Sequence, residues 1–363
     1  MRKILFVKES LGSGGAERQL VYLATLLKHA RYNVVVLTYD DKNFYKEILD
    51  REEIENRLYT PALNKFLRFY HLAQCIRRLR PNVVISFLPG SNVALCIAKA
   101  LRLFSVPLVV SERSHTCFRN FKKKAFFFVY RFSDAIIANS KAESDNIQTH
   151  NKFLIGKTGY IPNCVDAHKF MPMDREDNKV LRVIVVARLI EYKNVKGLIE
   201  VASQLHNDGY EFEITWYGHS YGDGFLEAME TLIRQNKLEH NFKFMKPSNQ
   251  IHLIYPLADA LCLPSFFEGY PNVVIEAMSC QLPILCSNVC ENPNIVTDGI
   301  NGFLFDPYDV NDMVTAFKRF LSLSTSQRKE MGKINRNKVL ENNQEDVFLK
   351  KYIRLIDSIC KDH

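Results

Sequence analysis

The sequence predicts an α/β protein of two domains, each a doubly wound parallel sheet with helices on both faces. Short runs rich in β-branched residues alternate with segments of helical periodicity, as in parallel sheets that are buried on both sides. This alternation breaks once, near residues 160–166, and then starts again. The length of 363 residues also exceeds what a single core usually holds.

The first domain is predicted over residues 1–165. It begins with a strand at Lys3–Lys8, a glycine-rich turn and a helix from Ala16 whose apolar residues recur at helical spacing. The later strands are predicted at Asn33–Thr38, Val83–Leu88, Val106–Ser111 and Ala135–Asn139.

The second domain is predicted over residues 166–345, and a last helix over residues 346–363 is expected to cross back to the first domain. The pattern restarts with a strand at Leu181–Val186 and a helix from Val195. Further strands are predicted at Glu211–Tyr217, Ala260–Pro264, Pro283–Ser287 and Gly302–Phe305. Because open α/β sheets bind ligands beyond the carboxyl ends of their strands, we expect a Rossmann-like pair of domains that face a common cleft.

The composition, with 47% hydrophobic and 24% charged residues, excludes disordered, collagen-like and disulfide-stapled classes. The nine cysteines show no C-x-x-C spacing, so we expect them to be reduced and structural, in a reducing compartment. The apolar run Ile4–Val7 is too short for a signal peptide, and no stretch approaches the ~20 apolar residues of a membrane span. We therefore expect a cytoplasmic protein, soluble or peripheral to a membrane.

Charge is distributed unevenly along the chain. Residues 1–165 hold 26 Lys and Arg against 13 Asp and Glu, whereas residues 166–363 hold 22 against 27. From Arg57 to Arg131 there are 14 basic residues and one acid, Glu112. Such a block is often only a solvated face, but this imbalance favours an anionic partner for the first domain.

The segment from Phe267 to Met278 gives the strongest functional signal, because it follows a predicted strand and opens a helix. Gly269 allows a tight turn, and Pro271 suits the first helical position. The backbone N–H groups of Asn272 and Val273 are then predicted to form a phosphate site at the helix start. Two carboxylates flank this site, Glu268 just before the helix and Glu276 one turn inside it, and either can accept hydrogen bonds from sugar hydroxyls. Alternatively, both acids only complement the helix dipole.

Two further loops follow predicted strands. Arg188 and Lys193 bracket the loop after Leu181–Val186, where they can neutralise a diphosphate; alternatively they are solvated surface. The turn Gly12–Gly15 follows the first strand, but Glu17 stands where a dinucleotide-binding G-x-G-x-x-G motif needs its third glycine, so NAD binding is not expected.

The whole pattern resembles glycosyltransferase family 4, the retaining GT-B glycosyltransferases that include bacterial enzymes of cell-surface polysaccharide and lipid-linked oligosaccharide synthesis. The resemblance covers nearly the whole chain. Its motifs, in order, are Gly14-Gly15-Ala16-Glu17, Ile161-Pro162-Asn163-Cys164-Val165-Asp166, Ala187-Arg188-Leu189 with Lys193, Pro264-Ser265, the pair Glu268 and Glu276, and Asp298-Gly299-Ile300-Asn301-Gly302-Phe303-Leu304.

The resemblance implies that the second domain holds a nucleotide sugar, with UDP favoured over GDP, and that the first domain takes the acceptor. Arg188 and Lys193 would bind the donor diphosphate, Glu276 the ribose and Glu268 the transferred sugar. Donor contacts would also come from the main chain of Gly14 and Gly15 and from the turn Gly269–Val273 that includes Pro271 and Asn272. No metal or other cofactor is expected.

This chain departs from the family pattern at several positions. Ala187 and Cys164 replace common glycines, and Asn294 stands where a Glu is common. Arg113 stands where many members carry a His at the catalytic site. Either His115, two residues on, takes that role, or Arg113 binds an acceptor phosphate; a third possibility is that His115 is only solvated structure.

The segment Arg119–Arg131 mixes cations with aromatic residues. With Lys122, Lys123, Lys124 and Phe126 it can lie in an anionic lipid headgroup layer. Alternatively, Phe126–Val129 belong to a helix core and the lysines only face water. A nucleic-acid partner is not expected, because no recognition module is present.

Taken together, the sequence predicts a retaining glycosyltransferase that moves a sugar from a nucleotide donor to a membrane-associated, lipid-linked glycan acceptor, at the inner face of the cytoplasmic membrane. Two rivals stay open: a non-hydrolysing nucleotide-sugar epimerase, and a catalytically inactive partner subunit that binds nucleotide sugars.

Overall fold

The computed structural model describes residues 1–59, 67–114, 116, 118, 121–174, 180–222 and 224–361, without the side chains of residues 121–123. The chain divides into two compact units. Unit 1 comprises residues 1–163 and 345–363, and unit 2 comprises residues 164–344.

Unit 1 is built on a seven-stranded parallel sheet in the order β3-β2-β1-β4-β5-β6-β7. The strands are β1 Lys3–Lys8, β2 Asn33–Thr38, β3 Glu55–Leu58, β4 Val83–Phe87, β5 Leu108–Glu112, β6 Ala135–Ala138 and β7 Thr158–Tyr160. The central strands are buried along nearly their whole length, as their apolar sequences require.

Helices connect these strands and cover both faces of the sheet. They are α1 Gly15–His29, α2 Lys46–Arg51, α3 Arg68–Leu79, α4 Pro89–Ala100, α5 Phe121–Tyr130 and α6 Lys141–His150. A 3₁₀ turn, Lys152–Lys157, leads from α6 into β7.

Unit 2 repeats the arrangement with a six-stranded parallel sheet in the order β10-β9-β8-β11-β12-β13. The strands are β8 Leu181–Val186, β9 Phe212–Tyr217, β10 Phe242–Met245, β11 Ala260–Leu263, β12 Ile284–Ser287 and β13 Gly302–Phe305. Its helices are α7 Val195–Asn207, α8 Phe225–Gln235, α9 Ile251–Ile254, α10 Asn272–Ser279, α11 Asn292–Ile295, α12 Val310–Leu321 and α13 Thr325–Asn342.

The last helix, α14 Glu345–Lys361, belongs to unit 1 and packs against α1. Its apolar stripe, which includes Phe348, Tyr352 and Ile356, is buried. None of the described helices combines the length and the apolar character needed to cross a bilayer.

The prediction of two doubly wound parallel sheets is confirmed. The strands that the sequence did not predict, β3, β7 and β10, are three or four residues long and lie at the edges of their sheets. Edge strands pack less of their surface, so they need no long apolar run: all four residues of β3 are exposed.

Candidate functional site

The predicted cationic loop and the predicted Glu268 turn lie side by side in unit 2. Strands β8 and β11 are neighbours in the parallel sheet, with Ile184 paired to Leu261. Their carboxyl ends therefore meet at one edge, and the loops that follow them, residues 187–194 and 264–271, emerge together.

An ion pair joins the two loops. Lys193 Nζ bonds Glu268 Oε1, and each side chain keeps only 13% of its surface exposed. Charge-assisted hydrogen bonds of this kind are the stronger ones in proteins, and partial burial reduces their screening by salt. The structure thus brings together two residues that lie 75 positions apart in the sequence.

Aromatic and backbone contacts reinforce the same junction. The rings of Tyr192 and Phe267 stack with centroids 4.8 Å apart and an interplanar angle of 18°. Next to them the Phe266 N–H donates to the Tyr192 carbonyl at 3.0 Å. We call Tyr192, Phe266 and Phe267 the aromatic clamp, because they fix the cationic loop against the Glu268 turn.

Arg188 stands on the exposed side of this junction. Its guanidinium donates to the Tyr192 hydroxyl, and a hydrogen bond with Tyr221 raises the pKa of Arg188. Lys193 Nζ lies 5.4 Å from the centre of the Tyr192 ring, and Arg188 Cζ lies 5.8 Å from it. The two cations are therefore organised around one aromatic ring, with Arg188 open to solvent.

Close packing fixes the start of the cationic loop. The Trp216 indole N–H donates to the Ala187 carbonyl at 2.8 Å, and the Ala187 N–H donates to the Tyr217 carbonyl at 3.1 Å. A Cβ on Gly218 would lie only 1.9 Å from that Ala187 oxygen, so this position requires glycine. The direction in which Arg188 leaves the sheet is set by these contacts.

A left-handed residue sets the other end of the loop. Asn194 has φ 57° and separates the 3₁₀ turn Glu191–Lys193 from α7. Its side-chain amide donates to the Pro307 carbonyl at 2.9 Å. Asn is among the few residues that tolerate this conformation, and here it stops the turn directly after Lys193.

The helix after the Glu268 turn begins one residue later than expected. Pro271 is the N-cap, with φ −76° and ψ 114°, and Asn272 is the first residue of α10, followed by Val273. The expectation that Pro271 occupies the first helical position is corrected by one residue; its fixed φ suits the extended cap equally well. The positive end of the helix dipole still lies beside Gly269 and Glu268.

Glu276 lies inside α10 and keeps only 3% of its surface exposed. The Tyr255 hydroxyl donates to its Oε2 at 3.2 Å. The structure therefore brings Glu268, Lys193 and Arg188 to one junction, in which Arg188 is exposed and the other two are largely buried, whereas Glu276 is buried against Tyr255.

In unit 1, Gly14 is the N-cap of α1 and Gly15 its first residue, and both are exposed. Glu17, at the position that excludes the dinucleotide motif, pairs with Lys8 at 3.0 Å. The side chain of Glu17 is 13% exposed and that of Lys8 is 6% exposed. A largely buried ion pair therefore joins the end of β1 to the first turn of α1, next to the glycine-rich turn.

Arg113 follows β5 and is 7% exposed, so its side chain lies inside unit 1. Its guanidinium donates to Asn163 and lies over the Phe87 ring at 5.4 Å, and its carbonyl accepts from Asn139 at 3.1 Å. His115, the alternative residue, lies outside the described residues.

The side chains of the basic segment differ in burial along α5. Lys122 and Lys123 have no described side chains, Lys124 is exposed and Phe126 is half-buried. Phe127 and Tyr130 pack into the core of unit 1, as the helix-core alternative predicts for Phe127. Phe128, by contrast, is 54% exposed.

Sequence reasoning missed Tyr192, Phe267 and Tyr221 as parts of the site. A usable signal existed for two of them: an aromatic residue precedes Lys193 in one loop and another precedes Glu268 in the other. Tyr221 lies beyond β9, and only the fold brings it to Arg188. Among the residues that the structure describes, no three or more His, Cys, Asp or Glu side chains form a group that could hold a metal ion.

Two family models match this chain in succession. The model described as Glycosyltransferase Family 4 matches residues 13–169, and the model described as Glycosyl transferases group 1 matches residues 168–338. One similar protein is the Campylobacter jejuni GalNAc-α-(1→4)-GalNAc-α-(1→3)-diNAcBac-PP-undecaprenol α-1,4-N-acetyl-D-galactosaminyltransferase. It is 27% identical over 318 residues, which is 84% of each chain.

Solved structures share the fold of this chain. A glycosyltransferase from Rickettsia africae superposes with a TM-score of 0.88 at 18% identity, covering 100% of this chain and 99% of the other. The Anabaena protein HepE, solved in complex with UDP, superposes with a TM-score of 0.83 at 18% identity, covering 98% of this chain and 100% of the other.

Proposed function

Because the two matching models together span residues 13–338, this chain belongs to the group 1, family 4 glycosyltransferases of GT-B fold, and we propose that it is a retaining enzyme that transfers a sugar from a UDP-activated donor to a lipid-linked glycan at a membrane surface. GDP is the second choice of nucleotide. No metal is required for the reaction.

The observation that carries this proposal is the junction of Arg188, Lys193 and Glu268 at the carboxyl edge of the unit 2 sheet. It places two cations and a carboxylate next to the amino end of α10. A diphosphate needs positive charge and backbone N–H groups, and a sugar needs a carboxylate that accepts from its hydroxyls. Arg188, Lys193 and the amino end of α10 meet the first need, and Glu268 meets the second.

Each residue of the junction then has its own role in the transfer. As the bond between the sugar and the diphosphate breaks, negative charge grows on the diphosphate, and Arg188 and Lys193 stabilise it. Glu268 keeps Lys193 in place before the donor arrives and afterwards orients the sugar. The acceptor hydroxyl attacks from the face that the leaving diphosphate occupies, and a diphosphate oxygen takes its proton, so the anomeric configuration is retained.

The choice of donor and acceptor is supported by the similar proteins. HepE was solved with UDP, and the C. jejuni protein is named for a glycan linked to undecaprenol through a diphosphate. Such an acceptor is anchored in a membrane, which agrees with the excess of basic residues in residues 1–165. We therefore place the enzyme at the inner face of the cytoplasmic membrane.

Donor binding is tested by thermal shift with a panel of UDP- and GDP-sugars. A ligand at about a hundredfold excess over its Kd stabilises the folded state by about 2.7 kcal/mol, which raises Tm by roughly 5 °C or more. We expect one UDP-sugar to raise Tm more than any of the GDP-sugars does. If no nucleotide sugar shifts Tm, the proposal is wrong.

The roles of binding and catalysis are separated by Glu268→Gln. Transfer is expected to fall by about a hundredfold or more, because the carboxylate is lost from the sugar, whereas UDP binding is kept, because Lys193 is still present. The matched control is Glu200→Gln, which removes a carboxylate that pairs with Lys196 on the exposed side of α7.

The same assays decide between the rivals. Conversion of a free nucleotide sugar without acceptor would identify an epimerase. Nucleotide binding that is kept with no transfer by the unmodified chain to a membrane extract would identify an inactive partner subunit.

A further inference from the structure

A cluster of polar side chains lies at the carboxyl edge of the unit 1 sheet. Glu9 directly follows β1, Tyr39 directly follows β2, and Gly90 and Ser91 lie in the first turn of α4, which follows β4. These strands are neighbours in the order β2-β1-β4, so the direction of winding reverses here, and open α/β sheets bind ligands at such a point. We infer that this cluster, completed by Arg68, binds the terminal sugar of the acceptor glycan.

Backbone hydrogen bonds hold the first two loops together. The Glu9 carbonyl accepts from the N–H of Tyr39 at 3.0 Å and from the N–H of Asp40 at 2.9 Å. Glu9 itself is exposed. A carboxylate on a fixed backbone at the open end of the sheet can accept hydrogen bonds from the hydroxyls of a sugar.

Two hydroxyls lie behind this carboxylate. Tyr39 is 7% exposed and Ser91 is 1% exposed, and their oxygens are 3.1 Å apart. Burial raises the pKa of Tyr39, so the phenol keeps its proton. One O–H of the pair bridges the two oxygens, and within the described part of the chain the second O–H is left to bond a ligand.

Gly90 leaves open space in front of these groups. A Cβ at this position would lie 3.6 Å from Tyr39 Oη and 3.8 Å from Glu9 Oε2. Both polar atoms therefore face the volume that a side chain at position 90 would occupy. Because Gly90 is exposed, a ligand can enter that volume from solvent.

The start of α4 has a backbone conformation that few residues adopt. Its N-cap, Leu88, has φ 71° and ψ 154°, a region that is otherwise almost restricted to glycine. The Leu88 N–H donates to the Ser111 carbonyl of β5 at 3.2 Å, which holds it there. Strain of this kind is concentrated at ligand sites, and a leucine has no polar side chain to cap the first N–H groups of the helix.

Arg68 borders the cluster on the side of α3. It is the first residue of that helix, and its Cζ lies 4.5 Å from the centre of the Tyr39 ring. The side chain is half-buried, and its Nε has no hydrogen-bond partner among the described residues. The contact with the ring fixes the plane of a guanidinium whose N–H groups can donate to sugar oxygens.

The mixture of groups indicates a neutral sugar rather than a phosphate. A phosphate only accepts hydrogen bonds and is negatively charged, so the Glu9 carboxylate would repel it. A sugar ring carries hydroxyls that both donate and accept, which matches one carboxylate, two hydroxyls and one guanidinium. Because unit 1 is proposed to take the acceptor, this inference rests on the proposed function.

The test measures transfer from the UDP-sugar that gives the largest thermal shift. The acceptor is the best substrate among monosaccharides joined to a short alkyl chain through a diphosphate, or a membrane lipid extract if none of them is used. Glu9→Gln should raise the KM for the acceptor by about tenfold or more, because a charged hydrogen-bond acceptor is lost. The KM for the donor should not change. Glu53→Gln, at an exposed carboxylate before β3, is the matched control and should behave like the unmodified chain.

Gly90→Ala separates ligand binding from folding. Its Cβ makes only ordinary van der Waals contacts, and alanine favours a helix over glycine, so Tm should stay the same or rise. The methyl group occupies the volume assigned to the sugar, so the KM for the acceptor should still rise by about tenfold. Gly156→Ala, where nothing lies within 4 Å of the new Cβ, is the control in the same unit and should leave this KM unchanged.

Monodeoxy analogues of the acceptor sugar identify the contact. They are measured as competitive inhibitors, so that the analogue without the attacking hydroxyl is included. For the analogue that lacks a hydroxyl bound by Glu9, Glu9→Gln should weaken inhibition little further, because both changes remove the same hydrogen bond. If Glu9→Gln weakens every analogue by the same factor, Glu9 does not contact the sugar and the inference is wrong.

Equal acceptor KM values for Glu9→Gln, Gly90→Ala and the unmodified chain overturn the inference and leave the glycosyltransferase proposal intact. A rise in the donor KM as large as that in the acceptor KM would mean that the cluster serves the donor, which also overturns it. If the unmodified chain transfers sugar to no acceptor and to no component of the membrane extract, the proposed function fails, and this inference fails with it.

Discussion

The two units share one topology but use the ends of their strands differently. In each sheet the first strand of the unit, β1 or β8, lies third from one edge. The next two strands of the chain lie on one side of it, and the remaining strands lie on the other side. In unit 2, the polar residues after β8 and β11 face each other in exposed or half-exposed loops. In unit 1, the polar residues at the end of β5 point into the interior.

The interior network of unit 1 is centred on Glu112, which is 1% exposed. Its Oε1 accepts from the Tyr130 hydroxyl and, at 3.0 Å, from the Asn92 amide, and Asn92 in turn accepts from Ser86 at 2.7 Å. Burial raises the pKa of Tyr130 well above its usual value. This carboxylate therefore satisfies buried donors, whereas Glu268 meets a cation at a loop.

The position of an acid at or after the end of a strand does not define its role. Glu112 is the last residue of β5 and Glu268 follows β11, but their partners differ: neutral donors in a core for the first and Lys193 at a sheet edge for the second. We expect mutations around Glu112 to change stability and mutations around Glu268 to change donor binding and turnover.

The largest effect is expected for Lys193→Ala in unit 2. Transfer should fall by about a hundredfold or more, because a cation is lost where negative charge grows. The free energy of unfolding should fall by about 1–3 kcal/mol, because the carboxylate of Glu268, which is only 13% exposed, loses this partner. Lys196→Ala, three residues away on exposed helix surface, is the control for both measurements and should behave like the unmodified enzyme.

In unit 1, Glu112→Ala should lower the free energy of unfolding by about 2–4 kcal/mol, because the Tyr130 hydroxyl and the Asn92 amide would lose a buried acceptor. Urea denaturation measures this change. Glu112→Gln keeps one acceptor oxygen and should recover part of the loss. UDP affinity should stay the same in both variants at temperatures where they are folded; a large drop would mean that the two units are not separable in this way.

Two glycines, one in each unit, differ in the packing around them. Gly218→Ala places a Cβ against the Ala187 carbonyl and should cost about 1–3 kcal/mol of stability, while weakening UDP binding through the displaced Arg188 loop. Gly12→Ala in unit 1 has nothing within 4 Å of the new Cβ and should be nearly neutral. If both variants behave alike in thermal denaturation and UDP titration, the packing account of the loop is wrong.

The smallest effect is expected for Tyr192→Phe. This change keeps the stack on Phe267 but removes the hydroxyl that accepts from Arg188. The KM for the donor should rise by about threefold to tenfold with little change in kcat, as for one hydrogen bond to a charged group. Tyr192→Ala also removes the stack and should raise KM further; equal values for the two variants would show that the hydroxyl alone matters.

Much of this architecture could be predicted from the sequence. The long buried strands and the meeting of Arg188, Lys193 and Glu268 follow from apolar runs and from loops placed after strands. Three things could not be predicted: the short edge strands, whose residues are largely exposed; the inward turn of Arg113, which depends on Asn163 and Phe87; and the aromatic clamp, since stacking requires two distant loops to meet.

The proposed function depends on binding of the donor diphosphate at the junction of Arg188, Lys193 and Glu268 in unit 2. Calorimetric titration of UDP into the unmodified chain, into Arg188→Ala with Lys193→Ala, and into the control Lys196→Ala with Lys237→Ala tests it most directly. We predict that the first pair weakens UDP binding by about a hundredfold or more, because two charge-assisted contacts are lost, and that the control pair binds like the unmodified chain. Equal affinity of the Arg188 and Lys193 variant and the unmodified chain would contradict the account.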